Sequence, residues 1–202
     1  MTDRVLLVLT SHDRLGDTGR GTGFYLPEAA HPWRVFTAAG YQVDLVSVRG
    51  GQPPVDGFNV EDPVQRAFLA DPEMSRQLAA TRRPDQVEAA DYRAVFYAGG
   101  HGAMWDLPHD AASAALARDV YEAGGVVAAV CHGPAGLVDV ILYIGQFLVD
   151  VATSRPSATM RNARWAWPKS YRSGSPTASR SGARGTARPP TSSRTWWSTG
   201  AW

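Results

Sequence analysis

Every valine, leucine, isoleucine and phenylalanine of this 202-residue chain lies at or before Val151. Burial of such side chains is the dominant favourable term in folding, so a packed core has to be built from the residues up to that point. Residues 152–202 also lack Asp and Glu, and they hold Trp165, Trp167, Trp196, Trp197 and Trp202 among Ser, Thr, Arg, Pro and Gly. A composition of this kind cannot offset the conformational entropy of ordering, and it predicts disorder. The charge divides at the same place. All nineteen acidic residues lie at or before Asp150 with eleven of the twenty Lys and Arg, leaving that part at −8 and the remainder at +9, a net +1 overall. The chain therefore reads as a domain over 1–150 and a low-complexity basic tail over 151–202.

Within 1–150, strand-like and helix-like segments alternate. Strands are expected at Arg4 to Thr10, Gln42 to Val48, Ala94 to Ala98 and Val126 to Val130, each a short apolar run. Helices are expected at Leu26 to Ala39 and Ala111 to Glu122. In the first, Leu26, Ala29, Ala30, Trp33 and Phe36 recur at helical spacing, Pro27 suits the first turn and Gly40 the end. Ser11 to Gly23 reads as a loop, and Gly50 to Asp91 as loops and short helices wrapping the sheet edge. Such alternation specifies an α/β fold: a mostly parallel sheet flanked by helices, with an irregular C-terminal segment. One cysteine excludes an internal disulfide framework and fits a reducing compartment. No apolar run has the length of a membrane span, and no signal-peptide pattern opens the chain. The expectation is a cytoplasmic protein with neither membrane nor nucleic-acid partners.

Chemistry concentrates where Gly124-Gly125-Val126-Val127-Ala128-Ala129-Val130 runs into Cys131-His132-Gly133-Pro134-Ala135-Gly136-Leu137. A strand that ends in cysteine and turns at once into a helix-starting segment of small residues describes a nucleophile elbow. At the positive end of a helix the thiol pKa is expected to be depressed. The bland alternative is a small hydrophobe at a strand end. His132 is the adjacent candidate base, against the alternative of a surface imidazole. Gly99-Gly100-His101-Gly102 follows the strand at 94–98. Strand C-termini share one edge of a parallel sheet, so the N–H groups of Gly100 and His132 are expected to meet as an oxyanion hole, with His101, Gly102 and Gly133 lining a substrate pocket. Glu28 either complements its helix N-terminus or hydrogen-bonds the Cys131 sulfur, and sequence leaves the two open. No metal is assigned to Glu28 and His31, and His12 and His109 receive no role.

The order of Thr22-Gly23-Phe24-Tyr25-Leu26-Pro27-Glu28-Ala29-Ala30-His31-Pro32-Trp33, then Ala98-Gly99-Gly100-His101-Gly102, then Ala128-Ala129-Val130-Cys131-His132-Gly133-Pro134-Ala135 resembles the DJ-1/PfpI superfamily. The Hsp31-like branch, related to class I glutamine amidotransferase domains, is the nearest in pattern. The likeness covers essentially residues 4–150. It implies a flavodoxin-like sandwich, a homodimer, no organic cofactor and a small carbonyl substrate. It makes Cys131 the nucleophile, His132 the triad histidine and Glu28 the acid beside the sulfur. The implied activity is glutathione-independent conversion of methylglyoxal to hydroxyacid (glyoxalase III). The alternatives are holdase chaperoning without catalysis, amidase or peptidase chemistry on the same cysteine, and an inactive product.

The last alternative follows from the tail. If each true codon takes the last base of one codon and the first two of the next, Ser154 to Ser173 permits T-A-F-S-D-N-A-E-R-A-V-G-L-A-E-V-V-P-F. Thr195 to Trp202 permits V-V-V-D-G-R-L in the same shifted frame. Both strings regain aliphatic and acidic residues, and they resemble the family's acid-bearing turn and closing strand. The tail is expected to be an out-of-frame translation, in preference to an Arg/Ser-rich RNA-binding segment.

Overall fold

The computed structural model describes residues 3–154 and the backbone of 194–198. Expectations for the rest of the tail lie outside the described residues. A five-stranded parallel sheet in the order β3-β1-β5-β6-β7 organises the chain. Its strands are β1 (Arg4–Leu9), β3 (Gln42–Ser47), β5 (Ala94–Tyr97), β6 (Val126–Val130) and β7 (Arg194–Ser198). Val5 stands opposite Val43 on one side and Ala94 on the other, and Val95 opposite Val127. Two residues of β2 (Phe24–Tyr25) pair in parallel with β4 (Val55–Asp56) as a separate small sheet. Neither strand is legible in the sequence, because two residues carry no periodicity.

Helices cover both faces, which is why β5, β6 and all of β1 beyond Arg4 are apolar rather than alternating. On one face, Leu7 and Leu9 of β1 join Val43 and Leu45 beneath α1 (Pro27–Ala38), α2 (Pro63–Ala70) and α3 (Pro72–Ala79), with Trp33, Phe68 and Met74 among the buried contributors. On the other, Leu6 and Val8 join Tyr97, Val127 and Ala129 beneath α5 (Ala111–Glu122), through Leu116, Ala117 and Val120. α6 (Leu148–Ser154) adds Leu148 and Ala152, both buried.

Local signals end the helices as the sequence predicts. Gly40 takes φ +89° beyond α1, and the N–H groups of Gly40 and Tyr41 donate to Thr37 and Phe36 carbonyls, a left-handed C-terminal closure. At the other end of α5, the Asp110 carboxylate accepts from Ser113 N at 3.0 Å.

The strand order fixes where a ligand could bind. From β1 the chain moves outward to β3, and later strands build in the opposite direction through β5 and β6. The crevice at such a switch point opens beyond the strand C-termini. The loop after β1, the glycine turn after β5 and Cys131 after β6 all emerge there.

Candidate active site

Cys131 directly follows β6 and takes φ +53°, the only non-glycine residue with positive φ among those described. That conformation costs of order 1–3 kcal/mol for a residue with a Cβ, and it persists only where the surroundings impose it. The residue is exposed overall, while its thiol is half-buried against Glu28, Gly100 and His132. Its Sγ lies 3.1 Å from His132 Nδ1, and the backbone N–H groups of Gly100 and His132 reach the same sulfur. A strained turn thus ends β6 at Cys131.

Close approach of three elements demands glycine at 99. A Cβ there would stand 2.4 Å from Glu28 Oε2, 2.8 Å from Cys131 Cβ and 2.9 Å from His132 N. Gly99 was not singled out in the sequence, although the Gly-Gly doublet was a signal for it. Gly100, at φ +103°, lies against the Gly23 carbonyl and Tyr25 N, and Tyr25 N donates to Gly99 O at 3.0 Å. The turn after β5 is thereby fastened to β2. Gly102 and Gly133, expected to line a pocket, are buried and face other atoms: Gly102 the His12 carbonyl and Thr10, Gly133 the Tyr97 carbonyl. His101 is exposed, and its ring centroid lies 5.0 Å from that of His132, with the planes tilted by 38°.

Of the two readings for Glu28, the structure places its carboxyl beside the sulfur. It interacts with the Cys131 side chain and the Gly99 backbone, while Oε2 is buried without a hydrogen-bond partner. Burial raises the Glu28 pKa, and the contacts with Cys131, Gly99 and His101 oppose that shift without cancelling it. His31 instead turns away to Asp62 of α2, with Nε2 2.8 Å from Oδ2. Among the described residues no group of three His, Cys, Asp or Glu side chains is placed to hold a metal.

The expectation of a depressed thiol pKa is overturned. Burial pushes the Cys131 thiol up, and the Glu28 carboxylate pushes it further; the Gly100 and His132 amides pull the other way and do not prevail. The physical reason is that Cys131 is followed by a five-residue 3₁₀ turn, Gly133–Leu137, too short to supply much of a helix dipole. His132 moves down, through burial first and the charge of His101 second, so its imidazole is held neutral. The arrangement is a protonated thiol beside a neutral imidazole, able to transfer its proton as the sulfur attacks an electrophile.

Comparison with known proteins places the fold in a family. The model of the DJ-1/PfpI family matches residues 21–146. The chain belongs to the DJ-1/PfpI family. It is 36% identical over 160 residues to glutathione-independent glyoxalase HSP31 of Saccharomyces cerevisiae, covering 76% of this chain and 64% of that protein. It is 35% identical over 140 residues to Glyoxalase 3 of Candida albicans, covering 65% and 58%. Among solved structures, it superposes on the Rapid Encystment Protein 24 kDa of Francisella tularensis with a TM-score of 0.69 at 36% identity, over 74% of this chain and 67% of that one. Glyoxalase III of Candida albicans gives a TM-score of 0.64 at 32% identity, over 72% and 64%. The family fold is the flavodoxin-like sandwich observed here. The chain spans less than two thirds of the length of these curated relatives.

Proposed function

We propose that the Cys131 site converts small α-oxoaldehydes, methylglyoxal in the first place, to hydroxyacids without glutathione. The observation that carries this reading is the exposed, strained Cys131 with a neutral imidazole at 3.1 Å, on a fold shared with relatives named for that activity. Sγ adds to the aldehyde carbon as His132 takes the thiol proton, forming a C–S bond and a hemithioacetal. The Gly100 and His132 amides stabilise the oxyanion. His132 moves a proton from the former aldehyde carbon to its neighbour, with Glu28 able to hold or return a second proton. The product is a thioester, which water hydrolyses to hydroxyacid and free thiol, so atoms and electrons balance without a redox partner. A homodimer is part of the same proposal.

A holdase reading has one observation in its favour: Ile141, Tyr143, Ile144 and Phe147 form an exposed apolar turn. The exposure of Cys131 favours catalysis over it. Among the described residues no helix is long and apolar enough to cross a membrane.

We also propose that the chain divides near residue 150, where its reading frame departs from the ancestral one. The shifted strings quoted above support this, as does the pairing of the Arg194–Ser198 backbone with β6 where the shifted frame reads V-V-V. One experiment tests both proposals: methylglyoxal turnover without glutathione, in this chain, its Cys131→Ala variant and a frame-restored version. Turnover in the restored chain that vanishes with Cys131 is the expected outcome. Equal turnover in the native chain would count against the frame proposal. Folded but inactive versions throughout would overturn the glyoxalase reading in favour of the holdase.

A further inference from the structure

We infer that His101 is a positioning residue, which packs its imidazole on the His132 ring, steadies that ring against Cys131 and opposes a positive charge on it. The inference deepens the α-oxoaldehyde reading and rests on it for its catalytic consequence.

Among the described residues, the His132 ring makes one hydrogen bond, between Nδ1 and Cys131 Sγ, and none through Nε2. Its orientation is therefore left to packing, and His101 supplies a second ring with centroids 5.0 Å apart. His101 itself rides on a turn that cannot slide. Gly100 is pressed on Gly23 and Tyr25, Gly102 on Thr10 and His12, and Met104 N donates to His101 O at 3.0 Å. The short helix α4 (Ala103–Asp106) continues directly from this turn, and Asp106 is anchored by Thr10 Oγ1 at 2.6 Å and Ser11 N at 2.7 Å. The turn is thus clamped to the end of β1.

Among the described residues, the titratable groups facing the histidine pair are Glu28 from α1 and Cys131 at the end of β6. A positive charge on His132 would lie beside the His101 ring, 5.0 Å between centroids, so like-charge repulsion disfavours it. The charge of His101 lowers the pKa of both His132 and Glu28, which shows that it reaches both sides of the sulfur. The consequence is a His132 that stays an unprotonated base at a lower pH than an isolated imidazole in the same place would.

The test uses the full chain with isotope-labelled histidine and two variants of this exposed residue, His101→Gln and His101→Phe. Imidazole NMR is expected to show the His132 titration moving to higher pH in both variants. Methylglyoxal turnover is expected to show the acid limb of kcat/KM moving the same way. The Gln variant, which also loses ring packing, is expected to lose about tenfold in kcat, and the Phe variant, which keeps a ring there, to lose less. An unchanged His132 titration in folded variants would overturn the inference. A shifted titration in a chain with no turnover would instead uphold the histidine coupling and sink the glyoxalase reading.

Discussion

At the scale of single residues, the site is a problem in proton placement. Glu28 and Cys131 are both pushed toward their protonated forms, and an ionised Glu28 makes the thiolate harder to form. Glu28→Gln removes that charge and keeps a donor in its place. Alkylation of Cys131 by iodoacetamide is expected to set in at lower pH in this variant than in the native chain. Slower alkylation would show that Glu28 already holds its proton and donates it to the sulfur. Gly99 offers a steric counterpart, since a methyl there would stand 2.4 Å from Glu28 Oε2 and 2.8 Å from Cys131 Cβ. Gly99→Ala is expected to cost about 1–3 kcal/mol, as overpacking does, and to let Cys131 alkylate at lower pH by driving the carboxyl and sulfur apart. Urea denaturation and alkylation kinetics read the two effects separately.

At the scale of elements, the site depends on how strands end. β5 stops in a glycine turn and β6 in a strained cysteine, and α5, which lies between them in the chain, sets their spacing from one face of the sheet. Asp110 caps α5 through Ser113 N, and buried Tyr97 of β5 donates its hydroxyl to the Ser113 carbonyl at 2.7 Å. Helix and strand are thus tied together a few residues from Gly99. Asp110→Ala is expected to destabilise the protein by about 1 kcal/mol, the usual cost of an N-cap, with Asp110→Asn recovering most of it in thermal unfolding. If both variants unfold like the native chain, the cap contributes nothing.

At the scale of the whole molecule, one buried acid fastens the far side of the sheet. Asp44 of β3 is 5% exposed and accepts from Arg4 Nη2 at 2.7 Å and from the Tyr92 hydroxyl at 2.9 Å, with Arg82 Nη2 at 3.6 Å. These contacts join β1, β3 and the segments before β5. The Tyr92 pKa is pushed up from 10.0 to about 12, by burial first and by the Asp44 carboxylate second. A raised folded-state pKa means the unfolded chain loses its phenol proton first. The contribution is therefore complete below pH 10 and is lost as pH rises toward about 12. Urea midpoints of the native chain are expected to fall across that window, and those of Tyr92→Phe to fall less. Parallel curves for the two proteins would remove Tyr92 from the account.

Much of this was legible from the order of residues alone. The boundaries of α5 and β6 match their expected ones, since apolar runs and the Gly124-Gly125 pair after the helix are local signals. The cysteine elbow and the glycine turn were legible for the same reason, as each depends on a few contiguous residues. Tertiary structure alone decided how those pieces act on one another. It chose between two roles for Glu28, because only packing brings α1 to the end of β6. It turned Gly102 and Gly133 into the backbone contacts that lock the site in place, and set His101 against His132. It also reversed the expected thiol acidity. A pKa is fixed by burial and by charges that arrive from distant parts of the chain, and no local pattern encodes either.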